Sequence, residues 1–212
     1  MLDKKSLNLA GWLSIIAAGL IIPGLAISVS LEVAEEKRFA LLLLEMLYNI
    51  GYGLISVYLF VMFKRLLNQK ASFHEVDTYI NLLIWLTIAH VALNVIVLPY
   101  PEAKKLLETA TLFLLIPIGL IHVVFGAKLL KSEDNLFGYL KPLSYLTIAT
   151  GMMMALIVLA LFAMITCIIG DVILALVFFK SAKLIQTQGS LSPEWDHSMA
   201  NDKLMASNKH AS

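Results

Sequence analysis

Apolar runs long enough to cross a lipid bilayer fill most of this chain, and nothing else in it limits the fold as much. The first, Asn8 to Leu31, carries no charged side chain. Others run from Phe39 to Phe63, from Val76 to Leu98, from Leu106 to Gly126 and from Leu143 to Phe179. A hydrocarbon core is about 30 Å thick and a helix rises about 1.5 Å per residue, so about 20 apolar residues span it. The last run would reach roughly 55 Å as one straight helix, too far for a single crossing. It must fold back, and its one charged residue is Asp171. The arithmetic places the turn near Phe162 to Ile165, where neither Gly nor Pro marks it. The fold class expected is therefore all-α, a polytopic transmembrane bundle of six helices. Five helices, with the last one long and kinked or tilted, is the alternative.

Composition agrees. Hydrophobic residues make up 59% of the 212 and charged residues 15%. Soluble domains sit near about 45–50% and about 25%. A soluble chain of this size cannot hide so much apolar surface, so the lipid bilayer is its first partner. A net charge of +1, with no basic patch interleaved with aromatics, points away from nucleic acid. Cys167 is the single cysteine, so no intrachain disulfide forms. Lys4, Lys5 and the small residues Ala26-Ile27-Ser28 imitate a secretory signal, but the run between them is long enough to span, and it reads as an uncleaved first helix.

Orientation follows from cations near helix ends. With the N-terminus inside, the cytoplasmic set is Lys4, Lys5, Lys64, Arg65, Lys70, Lys128, Lys131, Lys141, Lys180 and Lys183. The outer set is Lys37, Arg38, Lys104 and Lys105. Ten against four puts both termini in the cytoplasm and the chain, as a multi-pass protein, in the inner (plasma) membrane. The six-helix domain covers residues 1–185. Residues 186–212 form a polar tail expected to be disordered or loosely surface-bound.

Ionisable residues inside hydrocarbon cost several kcal/mol unless they face the bundle interior or water, so each is a candidate for function. Four qualify: Glu45, His90, His122 and Asp171. Counting from the outer ends of their helices, Glu45 lies roughly 9 Å deep, and His90 and Asp171 each lie roughly 12 Å deep. These three share one layer in the outer half, whereas His122 lies nearer the cytoplasm. Glu45, Tyr48, Asn49, Tyr52 and Ser56 follow one another at helical spacing, as do Thr87, His90 and Asn94. Both stripes are expected to turn inward and, with Asp171, to line a polar pocket open to the outside. The ligand- or ion-binding candidates are thus Glu45, Asn49, Tyr52, His90, Asn94 and Asp171.

Such a layer suits proton or cation handling. One His and two carboxylates are also acceptable metal ligands, but no His-Glu-x-x-His spacing supports a metal, and none is assigned. A haem between His90 and His122 is disfavoured by a depth difference of about 15 Å. The plain alternative is that these groups only tie helices together. The Met152-Met153-Met154 run reads as soft packing surface, and Cys167 as a small buried residue.

Leu44-Glu45-Met46, Phe63-Lys64-Arg65, the stretch Leu140 to Gly151 and Asp171-Val172-Ile173-Leu174-Ala175-Leu176 together carry a resemblance. On these residues the chain resembles a family of six-helix bacterial membrane proteins known as a domain of unknown function. The resemblance implies that Glu45 and Asp171 are shared features. It implies no activity or cofactor, and His90 has no counterpart in it. The function expected is an inner-membrane protein that binds a small ligand or ion, or serves as accessory subunit of a membrane complex. Membrane-protein partners or a homo-oligomer fit that expectation. The competing expectation is a membrane-embedded enzyme of redox or hydrolytic type, dependent on a metal or haem, that uses Glu45, His90 and Asp171.

Overall fold

The computed structural model describes residues 2–33, 38–97, 104–132, 135–156 and 159–208. Six helices follow one another: α1 (Lys4–Val33), α2 (Arg38–Lys70), α3 (Asp77–Val97), α4 (Lys104–Leu129), α5 (Leu140–Ala155) and α6 (Ala160–Asn208). All but α5 are long and apolar enough to cross a membrane. With 16 residues, α5 extends about 24 Å. The segment that the sequence sets apart as a tail continues α6 as helix to Asn208.

Each helix packs on its neighbours in sequence, and α6 closes on α1. The six therefore form a ring. One apolar core fills one half of it. Leu7 and Ala10 of α1, Leu59 to Leu67 of α2, Ile80 and Leu83 of α3, Phe125 and Leu129 of α4, Leu140 and Leu143 of α5, and Val177 and Phe178 of α6 contribute to it. These are the starts of α1, α3 and α5 together with late turns of α2 and α4 and the far part of the apolar run of α6, so successive helices run in opposite directions. In the other half, among the described residues, the buried cluster is Leu31 and Leu42, with Ile27 and Leu41 against them. Large apolar side chains such as Ile22, Trp85 and Phe113 face outward, as they do on a surface covered by lipid.

The same end that holds the core gathers the polar loops. The Leu2 amide donates to Gln69 Oε1 (3.1 Å), and Lys128 Nζ meets Glu75 Oε2 at 3.2 Å. Lys180 Nζ lies 4.6 Å from the centre of the Tyr139 ring. Several helices run further into this end than the apolar runs do. α2 passes through Lys64-Arg65 to Lys70 and stops only at Ser72, whose φ is +47°. Cations do not break a helix; their long stems let the charge reach water while the backbone ladder continues. α1 begins at Lys4 because Asp3 caps it: the Asp3 carboxylate accepts from the Ser6 amide (2.9 Å) and the Ser6 hydroxyl.

The turn near Phe162 to Ile165 is a correction: those residues are helical, inside α6. The reversal falls between Ala155 and Ala160. Its position comes from a contact across the hairpin. Thr150 Oγ1 donates to Thr166 Oγ1 at 2.7 Å, so these residues stand opposite each other and the chain reverses midway between them. α5 is fixed in turn by α4. A Cβ on Gly151 would collide with the Gly119 carbonyl oxygen, and one on Gly126 would lie 2.8 Å from the Ser144 carbonyl oxygen. Such approaches hold α5 along α4, as small residues do between membrane helices.

Candidate functional site

Above the apolar core lies a stratum of polar side chains. On α1 the buried residues Leu7, Ala10, Ser14, Ala17 and Ile21 follow at spacings of three and four, so Ser14 interrupts an otherwise apolar stripe. Tyr52 of α2 packs against the core cluster. On α6, Asp171 continues the stripe of Ala175, Phe178 and Ala182, all three buried. The polar members thus come from the core-facing sides of three helices.

Asp171 has two polar neighbours. The Tyr52 hydroxyl, the Cys167 thiol and the Asp171 carboxyl lie close enough to act electrostatically on one another. Cys167 and Asp171 share a face of α6 because they are one turn apart. The thiol also lies against the Thr150 hydroxyl. Thr150 donates to Thr166, and Thr166 Oγ1 donates to the Ala163 carbonyl at 2.8 Å. A line of polar atoms therefore leads from Cys167, one turn from Asp171, through two hydroxyls toward the reversal between α5 and α6.

On its other side the stratum reaches α1. The Tyr48 hydroxyl donates to the Leu20 carbonyl (2.9 Å) and occupies the space that a Cβ on Gly24 would need. Tyr48 and Tyr52 stack, with ring centres 6.0 Å apart and planes 14° from parallel. Ser14 is fully buried, and its hydroxyl has no partner among the described residues. That is unusual here. Ser30, Ser56, Thr87, Ser144, Thr147 and Ser181 each donate to the carbonyl one turn back. A buried hydroxyl left unmatched costs about 1–3 kcal/mol.

The remaining candidates behave differently. His90 stands level with Tyr52, since Gly53 of α2 packs on Thr87 and Val91 of α3. Its polar partner is on its own helix. The Asn94 amide nitrogen donates to His90 Nε2 at 3.2 Å and to the His90 carbonyl at 2.8 Å. Asn49 is half-buried beside Tyr48. Glu45, also half-buried, stands about 10 Å along the axis from Tyr52 toward the start of α2. His122 lies at the crossing of α4 with α5, its Cβ against Gly151, and its Nδ1 donates to the Ile118 carbonyl at 2.9 Å.

A hydrogen bond thus joins His90 to Asn94, and Asp171 lies within electrostatic reach of Tyr52 and Cys167. Among the described residues, no three His, Cys, Asp or Glu side chains gather as metal ligands do. Thr150, Cys167 and Ser14 are the members that sequence reasoning leaves out. The spacing of Cys167 and Asp171 carries a signal for one of them. For Thr150 the signal lies in a partner on another helix. No protein-family model, no curated protein and no solved structure matches this chain, so the site rests on its own geometry.

Proposed function

We propose that the chain is a polytopic inner-membrane protein of six membrane-embedded helices with both termini in the cytoplasm, and that the Asp171 stratum takes up a proton or small cation. The observation that carries this reading is the grouping of the Asp171 carboxyl with the Tyr52 hydroxyl and Cys167 thiol across α2 and α6, just above the apolar core. A carboxyl in such surroundings exchanges charge only with a bound proton or ion. The membrane placement is supported by the five long apolar helices and by the cations gathered at the core-bearing end. Resemblance to the six-helix bacterial family belongs to this reading and adds no activity to it. Service as an accessory subunit is compatible with it, because the stratum needs no outer domain.

The test is infrared difference spectroscopy on the full chain reconstituted in lipid. Stepping pH, or adding sodium, is expected to change a carboxyl band that Asp171→Asn removes while the melting temperature stays close to wild type. An unchanged band overturns the reading. Loss of the folded protein in Asp171→Asn favours a second reading, in which the stratum only bonds helices together. The Thr150 to Thr166 and Tyr48 to Leu20 bonds are what favour that one.

A further inference from the structure

At the core-bearing end, an open groove of about 380 Å³ runs between the last turns of α2 and the first turns of α3. Its α2 wall is Val61, Lys64, Arg65, Asn68 and Gln69; Asn81 and Ile84 line the α3 side. The lining is graded along the helix axis. Val61 and Ile84 lie toward the middle of the helices, and the charged and amide groups lie toward their ends. Lys64 and Arg65 directly follow the apolar run of α2, so they stand where hydrocarbon gives way to water.

The two cations are held differently. Lys64 Nζ donates to Asn81 Oδ1 at 3.0 Å and lies 3.9 Å from Asp77 Oδ2. That carboxylate oxygen also takes the Asn68 amide nitrogen (3.1 Å) and lies 3.5 Å from His74 Nδ1. Asp77 thus divides its charge among three groups and fixes the position of Lys64 from outside the groove's lining. Arg65 is exposed and forms no ion pair among the described residues. The lining therefore holds two cations and no acid. A planar guanidinium beside a fixed ammonium matches the oxygens of a phosphate group.

We infer that this groove binds the phosphate of an anionic phospholipid, with the headgroup between Lys64 and Arg65 and an acyl chain over Val61 and Ile84. The shared chemistry is a phosphate anion. The graded lining selects the lipid over a soluble phosphate, because a soluble anion has no use for the apolar floor. Basic pockets between helices on the cytoplasmic side are suited to such headgroups. The inference rests on the membrane placement proposed above and is independent of Asp171.

Native mass spectrometry of the full chain in detergent tests it, with phosphatidylglycerol, phosphatidylcholine and inorganic phosphate as probes. Phosphatidylglycerol is expected to be retained in preference to phosphatidylcholine. Arg65→Gln should lower that retention about fivefold, the size of one cation's contribution near a lipid surface. Val61→Phe, which fills the floor and leaves every charge in place, should lower it too. Equal retention of the two lipids, or retention indifferent to Arg65→Gln, overturns the inference. Displacement of the lipid by inorganic phosphate with Val61→Phe silent also overturns it, in favour of a soluble anion. A wild-type chain that remains soluble without detergent overturns the membrane placement itself, a result separable from the lipid comparison.

Discussion

The two halves of the ring differ in how far side chains fill the space between helices. At the end that carries most of the cations, side chains fill the space: Leu7, Leu66, Ile80 and Phe178 are each fully buried in one cluster drawn from all six helices. Toward the other end, among the described residues, the apolar cluster is Leu31 and Leu42. There the close approaches fall at Gly24 under Tyr48, Gly53 against Val91, and Gly119 against Gly151; the filled half has its own at Gly11 under Phe179 and Gly126 against Ser144. A filled core tolerates little change in volume. Backbones in close approach leave room nearby for polar side chains, and the polar stratum sits where the filled core ends. Stability and chemistry are thus divided along the axis of the molecule.

Substitutions can break or sharpen that division. The largest effect is expected in the filled half, where Phe178→Ala should cost about 3–5 kcal/mol by leaving a cavity that six helices cannot close. Reversible unfolding in mixed micelles would measure it, and a cost below about 1 kcal/mol would mean that the half is not packed as described. Next comes Gly151→Ala. Its new methyl meets the Gly119 carbonyl oxygen, so α4 and α5 must separate, at about 1–3 kcal/mol. A crosslink between cysteines placed on facing positions of α4 and α5 should form more slowly in that variant.

At the boundary between the halves, Ser14→Ala should be neutral or stabilising by up to about 1 kcal/mol, because it removes a hydroxyl with no partner among the described residues. Ser181→Ala, which deletes a hydroxyl bonded to the Val177 carbonyl, serves as the control. Destabilisation by Ser14→Ala alone would show that the hydroxyl serves a bound water or ion. The smallest effect belongs to the cap of α1. The Ser6 hydroxyl and amide hold the Asp3 carboxyl below its ordinary range. The cap is therefore complete above the ordinary carboxylate range and is lost as pH falls through the lowered value. Asp3→Ala should abolish that acid dependence of amide exchange in the first turn of α1; exchange that keeps its acid dependence would point to another group.

Much of this was legible in the sequence. Uncharged runs between clusters of Lys and Arg mark the helices, since their length is fixed by what they must cross. The excess length of residues 143–179 forces a reversal, and one is present between α5 and α6. Its position was not legible. It is set by Thr150 facing Thr166, a relation between two helices that no local signal records. The stripe of Tyr48 and Tyr52 was readable from spacing, and so was the placement of Asp171 among polar residues of its own helix. Which helix faces Asp171 was not. Depth arithmetic pairs it with Glu45 and His90, because depth is one coordinate, and the angle around the ring is the other. Tyr52 and Cys167 lie within electrostatic reach of Asp171, and Asn94 bonds His90 from its own helix.

Closure of α6 onto α1 has a consequence for how the protein is made. α1 leaves the ribosome well before α6, yet the ring that packs on its Gly11 and meets Trp12 edge-on is Phe179, near the end of the last apolar run. Until that residue emerges, α1 has only α2 beside it, and a large part of its inner face waits in the bilayer or against insertion machinery. The seam between α1 and α6 therefore cannot close hairpin by hairpin; it needs α6 in place. A chain stopped before α6 would expose an unfinished seam to the quality-control proteases of the membrane.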